Sequence, residues 1–96
     1  MNSSNDRFIE AAKEAVVIQQ QEYHKHSYDA VIPRPDDLYV VWFSKTLDNW
    51  KALISTDVIP SAYWEVTYNG SKQEAYVDHY VKVDNKVIPA TTLGLA

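Results

Sequence analysis

The apolar positions nearest the N-terminus follow the period of an α-helix. Apolar side chains recur at spacings of three and four residues, as along the buried stripe of an amphipathic helix; they are Phe8, Ile9, Ala12, Ala15 and Val16. This pattern predicts a helix from residue 8 to about residue 22. The pattern then stops, and Pro33 and Pro35 favour extended backbone in the residues before them. We therefore expect a long loop over residues 23–37.

Three later segments have the composition of β-strands. Residues 38–44 and 50–56 are rich in β-branched and aromatic side chains, and residues 48–49 between them can form a tight turn. Residues 62–69 alternate, with Trp64, Val66 and Tyr68 on one side. Their order along the chain predicts a three-stranded antiparallel meander.

The turn expected at residues 48–49 fixes which side chains of the first hairpin share a face. It places Phe43 opposite Ile54, with Trp50 on the same side. This face is apolar and is expected to lie against the first helix. The other face carries Trp42, an aromatic side chain that is expected to be covered by the long loop or by a partner or second subunit.

The segment after Gly70 fits two structures. Residues 69–70 are a favoured hairpin turn, whereas residues 71–74 have the form of a capping box that opens a helix. A strand would have to accept His79 in an otherwise apolar row, while a helix gains an Asp78/Lys82 pair one turn apart. We expect the helix, because the cap and the charged pair agree.

Together these elements predict an α+β fold with the order α-β-β-β-α. A three-stranded antiparallel meander would carry the N-terminal helix and a C-terminal helix on one face. We expect residues 1–89 to form a single domain, since a chain of 96 residues has too little apolar surface for a second core. Residues 90–96 are small and aperiodic and are expected to be a flexible tail.

Charge and composition exclude several classes of function. The net charge of −4 has the wrong sign for a protein that gathers phosphates, so nucleic-acid binding is disfavoured. The chain has no cysteine, which fits a reducing compartment. It also has no apolar run of about 18 residues for a membrane span and no apolar core of a secretory signal near its start. We expect a cytoplasmic protein without a membrane partner.

Residues that could support catalysis or metal binding are sparse. His24 and His26, with Asp29, Asp36 and Asp37 in the same loop, have ligand chemistry but no third ligand at a fixed spacing. With only two glycines and no Gly-x-Ser-x-Gly motif, the usual nucleotide and nucleophile sites are missing. We therefore expect no catalytic residues, no metal, no cofactor and no enzyme activity.

Aromatic residues make up 12% of the chain, more than the core of so small a domain can hide. The hypothesis that follows is a non-catalytic interaction protein that binds a second copy of itself or a host protein. Its interface candidates are Tyr39, Trp42, Lys51, Leu53, Tyr63, Tyr76 and Tyr80. The alternative is a nucleic-acid-binding accessory protein that uses Lys45, Lys51 and Lys72 with neighbouring rings.

Two runs of residues resemble a known family. The first run extends from Asp36 to Leu53 and continues with Ser55 and Thr56. The second consists of Tyr63, Glu65–Gly70, Lys72, Glu74, Tyr76, Asp78, Tyr80 and Lys82. Both runs are similar to a small uncharacterised family encoded by phages and prophages of Gram-positive bacteria. The resemblance covers roughly residues 36–85. It carries no established activity, and it implies a phage accessory protein acting inside a bacterial host.

A second likeness is topological. The α-β-β-β-α order, with Gly70 and Lys72 where the last helix would open, is similar to double-stranded RNA-binding domains. Here Lys72 is close to Glu74 in sequence rather than to further lysines. The likeness therefore concerns architecture and does not imply an RNA ligand.

Overall fold

The computed structural model describes residues 4–96 as one helix followed by a four-stranded sheet. Helix α1 spans Ser4–Tyr23, and the strands are β1 (Leu38–Thr46), β2 (Asn49–Thr56), β3 (Ala62–Asn69) and β4 (Glu74–Val81). Short 3₁₀ helices cover Pro35–Asp37 and Ala90–Leu93. The sheet is an antiparallel meander in the order β1-β2-β3-β4. Within residues 4–96, no helix combines the length and the apolar composition that crossing a bilayer demands.

The α+β class, the N-terminal helix and the first three strands are confirmed. The predicted C-terminal helix is wrong, because residues 74–81 form β4. Pairing with β3 supplies hydrogen-bond partners for the β4 backbone, and it places Val77 beside Val66 on the face that α1 covers. His79, the residue that argued against a strand, stacks on Trp64 with the ring centroids 5.4 Å apart. An imidazole in that row is therefore packed as an aromatic ring.

The first hairpin turns one residue earlier than expected. Its turn residues are Leu47 and Asp48, so Phe43 lies opposite Ala52 and not opposite Ile54. A β-bulge between Val40 and Trp42 then shifts the register by one residue. The bulge is the reason that Phe43 and Val40 both contact the core although they are three residues apart. The prediction that Phe43, Trp50 and Ile54 share the helix-covered face is confirmed.

The hydrophobic core lies between α1 and one face of the sheet. Ala12 and Val16 of the helix are fully buried, as are Ile54 and Trp64 of the sheet. At one end of the core, Trp50 stacks on Tyr68 and is also flanked by two phenylalanine rings, those of Phe8 and Phe43. We call this side of the sheet the covered face.

The two hairpin turns at one end of the sheet pack against each other. Asn49 Oδ1 accepts a hydrogen bond from the Gly70 N–H at 2.9 Å. A Cβ atom added at Gly70 would collide with the carbonyl oxygen and Cβ of Asp48. Glycine is required at this position because two backbones approach closely, and the contact fixes the β1–β2 turn against the β3–β4 turn.

Residues 82–96 follow β4 and are exposed throughout. The Lys82 N–H donates to the Ser61 carbonyl at 2.7 Å and continues the β3–β4 ladder by one pair. The 3₁₀ helix Ala90–Leu93 ends at Gly94, which has a positive φ of 72°. The segment predicted as a flexible tail therefore contains one closed turn.

Candidate interaction surface

The side of the sheet opposite α1 is a broad surface without a helix on it, and we call it the open face. The strand registers place twelve central side chains there; they are Tyr39, Trp42, Ser44, Lys51, Leu53, Ser55, Tyr63, Glu65, Thr67, Tyr76, Asp78 and Tyr80. Side chains on one face of a sheet lie in rows across neighbouring strands. The open face is thus one continuous surface that runs across all four strands.

All seven side chains proposed as interface candidates lie on the open face. Tyr76 and Tyr80 were expected on a helix, and the strand β4 brings them beside β3 instead. The alternation of residues 76, 78 and 80 is a strand signal that the sequence analysis did not use, and the capping-box pattern before it favoured a helix. The structure therefore brings together residues that the sequence analysis placed on three strands and on a helix.

Aromatic rings on the open face pack against their neighbours yet stay accessible. Tyr63 and Tyr80 are cross-strand partners and stack with centroids 5.1 Å apart and an angle of 14° between the rings. Trp42 lies opposite Leu53 and is 40% exposed, similar to Tyr39 at 45%. Rings held by cross-strand contacts lose little freedom when a partner covers them.

The charged groups of the open face are mainly acidic. Lys51 Nζ lies 3.3 Å from Glu65 Oε1, and Asp78 is the cross-strand neighbour of Glu65. Glu74, at the end of β4, accepts a hydrogen bond from the Tyr76 hydroxyl. That hydrogen bond is the main reason that the pKa of Tyr76 lies above its usual value. Among the strand residues of the open face, three carboxylates and one lysine leave an excess of negative charge.

A shallow groove crosses the open face near the hairpin turns. Its volume is about 340 Å³, and Ser44, Lys51, Thr67 and Tyr76 lie along it. Sequence reasoning missed Ser44 and Thr67, which have no distinguishing chemistry of their own. They became part of the surface because they are cross-strand neighbours of Lys51.

The three lysines of the nucleic-acid hypothesis are not brought together. Lys45 lies at the end of the covered face, with Nζ 5.7 Å from the centroid of the Phe8 ring. Lys51 is on the open face and is paired with Glu65. Lys72 is in the β3–β4 turn. A track of phosphates requires neighbouring cations on one surface, and these three do not form one.

The histidines of the chain do not assemble a metal site within the described residues. Among residues 4–96, there is no group of three or more ligating side chains with metal-binding proximity. His79 instead packs at the end of α1, with the Tyr23 ring edge-on at 5.2 Å and Gln20 Nε2 at 3.4 Å from its Nδ1. Burial, and secondly the charge of His24, hold the pKa of His79 below its usual value. A neutral imidazole in this position acts as a packed ring.

The sequence profile described as "Family of unknown function (DUF6275)" matches residues 9–90. The chain belongs to this family. The match includes α1 from residue 9 onward, all four strands and the extended segment up to the second 3₁₀ helix. The open face therefore lies wholly within the family's domain. Neither the curated proteins nor the solved structures contain a match to the chain.

Proposed function

We propose that this member of the family is a non-catalytic interaction module whose open face binds another protein. The observation that carries the proposal is the gathering of five aromatic side chains on one uncovered sheet face, with Lys51 and Leu53 between them. Large aromatic residues that are exposed and already ordered by neighbours are typical of the energetic centre of a protein interface.

The expected partner surface combines apolar and basic side chains. The rings around Trp42 supply apolar area, and the carboxylates of Glu65, Glu74 and Asp78 outnumber Lys51, which is the one lysine among the strand residues of this face. Complementary charge favours arginine or lysine at the rim of the partner's surface. A protein is favoured over a nucleic acid for the same reason, because phosphates would meet the same carboxylates.

The biological setting that we propose is a phage or prophage accessory role in the cytoplasm of a bacterial host. The support for this setting is the resemblance of residues 36–85 to small proteins of phages and prophages. A host protein is then the expected partner. The setting is tested by whether the gene is transcribed when the prophage is induced, and constant transcription would argue against it.

The substitution Trp42→Asp tests the role of the open face. It puts a charge where an aromatic side chain would be desolvated, and loss of a central interface residue typically weakens binding by more than about 2 kcal/mol, or roughly 30-fold. We expect the proteins captured by the wild-type chain to be lost, with the circular dichroism spectrum unchanged.

Leu47→Asp is the matched control for that experiment. Leu47 is an exposed apolar residue at 83%, it lies in the β1–β2 turn outside the open face, and its positive φ of 56° tolerates aspartate. This variant should capture the same proteins as the wild type. Retention of every captured protein by folded Trp42→Asp would overturn the proposal.

A further inference from the structure

The two edges of the sheet differ in how well they are protected from pairing. The edge strand β1 contains a β-bulge between Val40 and Trp42, which interrupts its outer row of backbone groups. The edge strand β4 keeps one register with β3 from Glu74 to Val81 and contains no proline, glycine or lysine. β4 therefore lacks the bulge, proline and lysine that commonly protect an edge strand, and its charged residues are Glu74 and Asp78.

We propose that β4 pairs with β4 of a second copy of the chain, so that two sheets join into one of eight strands. An interface of this kind uses backbone hydrogen bonds for affinity and flanking side chains for register. It is independent of the open face, which binds through side chains that point away from the sheet.

The free backbone groups of β4 can be assigned from its pairing with β3. Lys82 and Ser61 are a hydrogen-bonded pair, and such pairs alternate along an antiparallel ladder. Even-numbered residues of β4 therefore direct their N–H and C=O groups toward β3. The backbone N–H and C=O groups that point away from β3, toward the free edge, belong to Ala75, Val77, His79 and Val81.

An apolar groove lies beside this free edge on the covered face. It has a volume of about 510 Å³ between α1 and β4, and its lining includes Ala15, Ile18, Ala75 and Val77. Ile18 is 64% exposed although it is on the helix flank next to the sheet. An added strand would place its own side chains in this groove, where they would cover Ile18.

The register of the second copy follows from faces and charges. The covered faces of the two copies lie on the same side of the joined sheet only if residues of the same face pair across the interface. In two identical antiparallel strands this requires a two-fold axis at a residue, which then pairs with its own copy, and not an axis between two residues. With the axis at Val77, seven residues of each β4 overlap, and Tyr76 lies opposite Asp78. An axis at Asp78 would oppose two aspartates, and an axis at Tyr76 would oppose Glu74 and Asp78.

The axis at Val77 also uses the free backbone groups. Val77 would pair with itself, and Ala75 would pair with His79 of the second copy on both sides of the axis. The backbone N–H and C=O groups of all these residues point away from β3, so each pair can exchange two hydrogen bonds. An axis at His79 would overlap only residues 77–81 of each β4. This self-complementarity is the reason that a second copy is the expected occupant of the edge.

The substitution Ala75→Pro tests the interface, with Ala75→Thr as its control. Proline removes an outward N–H and is tolerated at an edge position whose N–H does not bond within the sheet. Threonine keeps the N–H and is a good strand residue. In sedimentation equilibrium, we expect wild type and Ala75→Thr to have twice the monomer mass and Ala75→Pro to have a dimer dissociation constant at least about tenfold higher.

Disulfide trapping gives a second measurement that does not depend on how well Ala75→Pro folds. The chain has no cysteine, so single-cysteine variants form only designed bridges. With the axis at Val77, Tyr76→Cys of one copy faces Asp78→Cys of the other at a separation that suits a disulfide. Oxidation of an equimolar mixture should give mainly the mixed disulfide.

Three results would overturn the proposal. They are a monomeric wild type at high concentration, an unchanged dimer in folded Ala75→Pro, and disulfides that form equally between like and unlike cysteine variants. The variant Trp42→Asp separates this proposal from the function proposed above. It should lose protein capture and keep the dimer, whereas Ala75→Pro should lose the dimer.

Discussion

The three tryptophans of the chain divide between the two faces of the sheet. Trp50 and Trp64 lie on the covered face and are 5% and 0% exposed, whereas Trp42 lies on the open face and is 40% exposed. The covered face uses its aromatic area to exclude water from the core under α1. The open face keeps aromatic area that the isolated chain does not bury. The side chains that stabilise the core therefore lie on one side of the sheet, and the side chains that we propose for binding lie on the other.

The largest expected effect is on the covered face. Trp64→Ala should lower the free energy of unfolding by about 3–5 kcal/mol, because it leaves a cavity beside Ile54 and His79. Trp42→Ala should cost only about 1 kcal/mol, since the ring is already partly in water. Urea unfolding followed by circular dichroism measures both values. Equal losses in the two variants would contradict the division between the faces.

An intermediate effect is expected where the covered face meets the loop before β1. The Thr56 hydroxyl is buried, donates to the Asp37 carbonyl at 2.6 Å and accepts from the Val58 N–H at 3.2 Å. Thr56→Val should cost about 1–3 kcal/mol, because it leaves two polar groups without this partner. Ser55→Ala, on the open face, should change stability by less than about 0.5 kcal/mol. A Thr56→Val variant as stable as Ser55→Ala would show that the hydroxyl contributes nothing.

The smallest expected effect concerns pH and the packed imidazole of the covered face. The pKa of His79 is lowered in the folded state, mainly by burial, so the unfolded chain binds its proton more readily. Stability from this group is present above the unfolded pKa of about 6.5 and is lost as the pH falls through the lower folded pKa. Thermal unfolding between pH 8 and 5.5 should show a decline that is reduced in His79→Gln. An identical decline in both proteins would exclude His79 as its source.

Much of the fold could be predicted from local pattern, and the errors share one cause. The spacing of Ala12 and Val16 and the alternation around Trp64 indicated α1 and β3 directly, because these segments each bury one face. β4 was harder to predict, since the capping-box pattern of residues 71–74 and the Asp78/Lys82 spacing favour a helix, and His79 interrupts the apolar row of a strand. Residues 74–81 form a strand because the free edge of β3 provides hydrogen-bond partners for their backbone along the whole segment.

The candidate surface could also be predicted only as far as local pattern reaches. Trp42, Lys51 and Leu53 could be grouped from the hairpin alone, because alternation puts them on one side of two adjacent strands, whereas Tyr39 joins them only through the β-bulge between Val40 and Trp42. Tyr76 and Tyr80 could be named as surface aromatics but not placed beside Tyr63. Their position depends on a long-range pairing that no local signal specified.

The sequence by itself determined the class of the fold, the helix and the strands up to residue 69, and it supplied the aromatic residues that we propose for binding. These depend on periodicity and side-chain chemistry, which are local properties. Only the tertiary structure decided that residues 74–81 form a strand, that a bulge in β1 realigns Leu38 and Val40 with the core, and that the surface aromatics share one face. Strand pairing is a competition between distant segments for hydrogen-bond partners and buried area, and its outcome is settled when the whole sheet is assembled.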